Sequence, residues 1–120
     1  MSKRKTILCD IDGTVLKYRR FEDIESIPAI PIPSIIEYLQ RAKERGDRII
    51  MTTARPESMY LFTYNELKKH NIPFDQIITD LERGPRVLLN DKDPRYPGKP
   101  RAIAINLDRD KGFSDEDFQD

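Results

Sequence analysis

The sequence is poor in the residues that build metal centres and covalent cross-links. Its 120 residues include one cysteine, Cys9, and one histidine, His70. A lone cysteine makes no internal disulfide and no Cys-x-x-Cys metal site, so a reducing, cytoplasmic setting is the simplest expectation. A lone histidine excludes a multi-histidine centre. Any metal here is then held by oxygen ligands, which favours a hard cation such as Mg2+. Net charge is absent as well, with 21 Lys+Arg against 21 Asp+Glu. A general nucleic-acid or membrane-surface binder shows a basic excess, so neither is expected. No apolar run approaches the ~20 residues that span a bilayer. The apolar run after the basic start is too short for a signal peptide.

What the chain has in quantity is charge of both signs. Charged residues make up 35% of it, above the roughly 25% of an average domain. The length suits a single domain over residues 1–120 that buries a core without disulfides or a structural metal. Short apolar runs alternate with helix-like stretches. Thr6–Cys9 reads as a buried parallel strand ending at Asp10. Residues 15–33 read as an irregular loop or small hairpin, a flap over that strand's carboxyl end, with Lys17, Arg19 and Arg20 offset by Glu22, Asp23 and Glu25. Ser34 reads as the N-cap of a helix with Ile35, Ile36, Leu39 and Ala42 on one face and Gly46 closing it. Arg48–Thr52 is a second strand, a helix runs from Pro56 to about Lys69, and Gln76–Thr79 is a third strand. Val87–Leu89 and Ala102–Ile105 are predicted as fourth and fifth strands, and 114–120 as an acidic tail. The alternation predicts an α/β fold of three layers, Rossmann-like, with a mostly parallel sheet of about five strands and helices on both faces. In such sheets the site lies beyond the strands' carboxyl ends, which singles out Asp10, Thr53 and Asp91.

Asp10-Ile11-Asp12-Gly13-Thr14 follows the first strand directly. Gly13 lets the chain bend so that both carboxylates turn toward one point. The plain alternative is an Asp-Gly turn at a strand end, but average usage gives this constellation in about one chain of this length in a thousand. Thr53, besides its place after the second strand, reads as a cap for the helix that begins near Pro56. Cys9 reads as a small core residue and His70 as a helix-end residue. Tyr60, Phe62 and Tyr64 read mainly as packing. Arg55 is open between a substrate contact and a surface ion pair. Asp93 is open between a turn acid before Pro94 and a neighbour that orients Asp91.

The first of these motifs resembles the signature of the haloacid dehalogenase (HAD) superfamily, in its phosphatase branch. Ile49-Ile50-Met51-Thr52-Thr53-Ala54-Arg55-Pro56 is similar to the family's second motif, with Thr53 in the matching place. Val87-Leu88-Leu89-Asn90-Asp91-Lys92-Asp93 resembles its fourth, with Asn90 where many relatives have Asp. The resemblance spans about residue 5 to 107. It implies a Mg2+-dependent phosphomonoesterase. Asp10 would be the nucleophile that forms an aspartyl-phosphate, and Asp12 the general acid and base. Thr53, Ala54 and Arg55 would bind the phosphoryl group. Asp10, Asp91 and the Asp12 carbonyl would hold the metal. The third motif's basic residue has no clean lysine here, and Arg83 or Arg86 takes its place. The intervals between motifs leave no room for a cap domain. That implies an open site for a phosphorylated small molecule such as a sugar phosphate or nucleotide, or one completed by a second subunit. A different class of function stays beside this one: a weakly active or non-catalytic module of the same fold that binds a phosphorylated ligand or a protein partner.

Overall fold

The computed structural model describes residues 4–114. Three parallel strands, β1 (Thr6–Asp10), β2 (Arg48–Thr52) and β3 (Gln76–Ile78), alternate with two helices, α1 (Pro33–Arg45) and α2 (Tyr60–Lys69). Single 3-10 turns occupy Phe21–Asp23 and Glu57–Met59. The sheet order is β1-β2-β3. Thr6 pairs with Arg48 and Asp10 with Thr52, so the carboxyl ends of β1 and β2 lie side by side. This is a Rossmann-like α/β arrangement built from two successive strand-helix-strand units.

The register explains where the core sits. Ile7 and Cys9 stand beside Ile49 and Met51, and Met51 stands beside Ile77, all on one sheet face. Ile35, Leu39 and Ala42 of α1 pack there, with Leu67 of α2 and Ile72 after it. Each buried aliphatic side chain contributes about 1.5–3 kcal/mol relative to exposure. Gly46 ends α1 with φ +91°, its N–H reaching the Ala42 and Lys43 carbonyls, as its position predicts. The other end differs from expectation. Pro33 opens the helix, no side chain caps it, and the Ser34 hydroxyl instead accepts the Phe113 N–H at 3.0 Å. Segment 15–33 closes as a small hairpin. Lys17 N–H donates to the Ile30 carbonyl at 2.8 Å and Ile32 N–H to the Val15 carbonyl at 2.9 Å.

Two expectations need correction. Both helices cover the same sheet face, because a rightward order with right-handed crossovers places them there. Among the described residues the opposite face, with Leu8 and Ile78, has no helix over it. The fourth and fifth strands do not form either. From Glu82 to Asn106 the chain has neither helix nor strand. Val87, Leu88 and Leu89 are 81%, 59% and 88% exposed. A three-residue apolar run has no strand stability of its own without a neighbour's ladder and a covering layer. The chain returns at its far end, where Leu107 and Phe113 pack against the core and Asp110 N–H donates to the Gly13 carbonyl at 2.8 Å. The acidic tail beyond residue 114 lies outside the described residues. Among those described, no helix is long and apolar enough to cross a membrane.

Candidate active site

Parallel pairing gathers the residues that follow the strands at one end of the sheet. Asp10 ends β1 opposite Thr52. Ile11 then turns the chain tightly, its carbonyl accepting the N–H groups of Thr14, Val15 and Leu16 at 3.2, 3.0 and 3.1 Å. Gly13 sits at φ +90°, and an added Cβ would press on the Arg109 side chain at 3.2 Å. The buried side chains of Ile11, Val15 and Leu16 anchor this loop in the core. Removal from water raises the Asp10 carboxyl above the ordinary carboxylate range. The Ile11 N–H and the Thr14 hydroxyl, 3.3 Å from Oδ2, oppose that rise; the Asp12 charge adds to it, and the Arg86 charge offsets it in part.

Asp12 meets Arg55. Arg55 Nε donates to Asp12 Oδ2 at 3.0 Å and Nη2 to Oδ1 at 2.8 Å, a two-pronged pair. Nη1 donates to the Thr63 hydroxyl at 3.1 Å and Nη2 also reaches Glu66 Oε1 at 3.1 Å. Glu66 in turn accepts Arg19 Nη2 at 2.8 Å. Burial works against the Arg55 charge, but Asp12 and Glu66 outweigh it and hold the guanidinium above its ordinary pKa. Arg55 is therefore not a surface ion pair; its residue is only 3% exposed. Arg19, expected as a loop cation, is buried too. It donates to the Ile24 and Ile27 carbonyls at 2.9 and 2.8 Å and ties the hairpin to α2. Arg20 pairs with Asp23 at 3.0 Å.

Thr53 follows β2 and is buried. Its N–H donates to the Ile78 carbonyl at 3.0 Å, its carbonyl accepts Leu81 N–H at 3.1 Å, and its hydroxyl accepts Arg55 N–H at 3.0 Å. A hydroxyl that accepts still carries a proton to donate. Ala54 continues the same loop, half-buried. Asp80 secures that loop from β3. Its N–H reaches the Arg55 carbonyl at 2.9 Å and its Oδ2 accepts Glu57 N–H at 3.1 Å. Asp80 does this at φ +63°, a conformation its short polar side chain tolerates.

A family profile described as haloacid dehalogenase-like hydrolase matches residues 7–79, more than half of the 120. The chain belongs to that family. No curated protein matches it. The crystal structure of a protein from Vibrio cholerae is similar at 21% identity and a TM-score of 0.49, over 72% of this chain and 79% of that one.

In this HAD-like hydrolase the matched span holds Asp10, Asp12, Thr53, Ala54 and Arg55 and stops before Arg83, Arg86 and Asp91. Asp91 stands apart in the structure as well. Asp91 lies in the Glu82–Asn106 excursion, its side chain 73% exposed and paired with Arg101 at 3.1 Å. Among the described residues no three His, Cys, Asp or Glu side chains group closely enough to hold a metal. Asp10 and the Asp12 carbonyl offer hard oxygen donors on one turn, but Asp91, the third expected ligand, stands with Arg101 instead. Of the two candidate third-motif residues, Arg86 is the one whose charge reaches Asp10, although its Nη1 is folded back on the Glu82 and Gly84 carbonyls. Arg83 is exposed. Asp93 takes the turn role, paired with Arg95 at 2.8 Å. Cys9 is buried and its thiol is pushed up to about 12, which makes it an inert core residue. Tyr60 and Tyr64 stack at 6.4 Å, and Tyr64 packs edge-on to Phe74 at 5.4 Å.

Sequence reasoning missed Glu66, Thr63 and Asp80 as parts of this site. Thr63 and Glu66 lie three apart on α2 and so share a helix face. That spacing was the one available signal, and nothing local tied it to Arg55.

Proposed function

We propose that this HAD-like hydrolase is a phosphomonoesterase acting on a phosphorylated small molecule, with Mg2+ as its cofactor. One observation carries the reading. Two carboxylates, Asp10 and Asp12, leave the carboxyl end of β1 on one tight turn, beside the Thr53 loop that leaves β2, and Asp12 is oriented by a buried arginine. A carboxylate oxygen of Asp10 attacks phosphorus as the bond to the leaving oxygen breaks, and Asp12 gives that oxygen its proton. In the second half Asp12 takes a proton from the water that releases phosphate from Asp10. The Arg55 pair still allows this, since each carboxylate oxygen has two lone pairs and the fork uses one on each. The Thr53 hydroxyl and the Ala54 N–H hold the oxygens of the transferred group. A Mg2+ held by the Asp10 carboxylate and the Asp12 carbonyl would offset the charge of the phosphate.

The test is phosphate release from a panel of sugar phosphates and nucleotides, with and without EDTA, by the wild type and Asp10→Asn. Release that needs a divalent cation and disappears in Asp10→Asn supports the reading. A wild type inert on the whole panel overturns it in favour of a non-catalytic ligand-binding module.

A further inference from the structure

We propose that Arg55 is the positioning residue of Asp12 and not a ligand of the phosphoryl group. This inference rests on the phosphomonoesterase reading and goes beyond it. The guanidinium spends four donor contacts inside the protein, two on Asp12, one on Thr63 and one on Glu66. Its side chain is 2% exposed, against 19% for that of Asp12. The exposed partner is thus the carboxylate, and the cation stands behind it. Glu66 is braced from its other side by Arg19, whose remaining contacts reach the hairpin carbonyls. The row Asp12–Arg55–Glu66–Arg19 alternates in sign and joins the catalytic turn, the β2 loop, α2 and the hairpin.

Two arguments make this a device rather than incidental pairing. Charged groups buried in such numbers are seldom more stabilising than apolar side chains of the same volume, so their presence at a catalytic turn points to a service other than stability. The geometry also fits that service. Two parallel N–H bonds fix both the position and the plane of a carboxylate, which a single contact does not. An acid that must meet a leaving oxygen gains from a fixed plane, because proton transfer needs hydrogen-bond reach and alignment.

The experiment compares two phosphate esters, p-nitrophenyl phosphate and glycerol 3-phosphate. The first expels a good leaving group that needs little protonation; the second expels an alkoxide that needs the acid. In Arg55→Lys one ammonium cannot bridge both Asp12 oxygens. We expect kcat for glycerol 3-phosphate to fall about 100-fold, with kcat for p-nitrophenyl phosphate falling less than about tenfold and KM little changed for either. Glu66→Gln keeps Arg55 in place with a weaker brace, and should show the same selectivity at about a few-fold. In an Asp12→Asn background, Arg55→Lys should add nothing further on glycerol 3-phosphate, since the arginine then has no acid to position. Equal losses on both esters, a rise in KM on both, or an undiminished effect in the Asp12→Asn background each overturn the inference and leave the phosphatase reading standing. A wild type inert on both esters overturns that reading, and this inference with it.

Discussion

Residues 5–81 and the excursion from Glu82 to Asn106 differ sharply in structure, and the excursion holds four of the chain's nine prolines. Both contain short runs of branched apolar residues ending in a polar or acidic one. Cys9-Asp10 and Leu89-Asn90-Asp91 are alike in that respect. Yet β1 is laddered to β2 and has Cys9 and Ile7 against the core, while Val87–Leu89 is exposed and unpaired among the described strands. The contrast shows that a strand is decided by its neighbours. A run becomes a strand when a ladder satisfies its backbone and a layer covers its side chains. The same contrast divides the charges. Asp12 finds a buried arginine, whereas Asp91 finds an exposed one.

Matched substitutions in the two regions sharpen that comparison. The largest difference is expected between the two ion pairs. Arg55→Gln leaves Asp12 and Glu66 without their shared cation and should cost about 3–5 kcal/mol. Arg101→Gln, which breaks the exposed pair with Asp91, should cost about 0–1 kcal/mol. Urea unfolding of both variants measures this, and similar costs would erase the distinction. Next come two leucines. Leu39→Ala removes a fully buried side chain and should cost about 2–5 kcal/mol, while Leu89→Ala should stay within about 0.5 kcal/mol. A large cost at Leu89 in the same urea titrations would mean that the excursion is covered in solution.

Two glycines give the third pair. A Cβ at Gly112 would stand 2.3 Å from the Ser34 hydroxyl at φ +65°, while at Gly98, φ +85°, it would meet open space. Gly98→Ala should therefore show backbone strain alone, about 1 kcal/mol. Gly112→Ala should show that plus the clash, about 2–3 kcal/mol, and should detach the Phe113 N–H from Ser34. Thermal unfolding ranks them, and equal shifts would remove the return segment from the folded unit.

The smallest effect concerns pH. Lys43, bonded to the Asp75 carboxylate, and the Ile49 N–H at 2.8 Å hold that carboxyl below its ordinary value. A depressed folded pKa contributes stability above the unfolded value of about 4, and this is lost as pH falls through the folded one. Asp75→Asn should then be less stable than wild type by about 1 kcal/mol at pH 7 and nearly equal to it in strong acid. A difference that persists unchanged at low pH would contradict the assignment.

Much of the fold was legible where local signals agreed. The second strand and the glycine stop of α1 follow from residue types alone, because φ preference and apolar spacing are local properties. The first motif was legible for the same reason, being five consecutive residues after a strand. The start of α1 was not, since Ser34 is used by Phe113, some eighty residues away in the chain. The sequence leaves Arg55 open because an arginine's surroundings are invisible in its neighbours along the chain.

By itself, the sequence determined the three strands and two helices that form and the turn that puts two carboxylates in succession, since hydrophobic period and glycine placement act over a few residues. The tertiary structure alone decided that Asp12 faces a buried arginine, that both helices share one sheet face, and that Asp91 stands with Arg101. Those outcomes depend on which distant groups fill the space and share the charge, and no local preference encodes them.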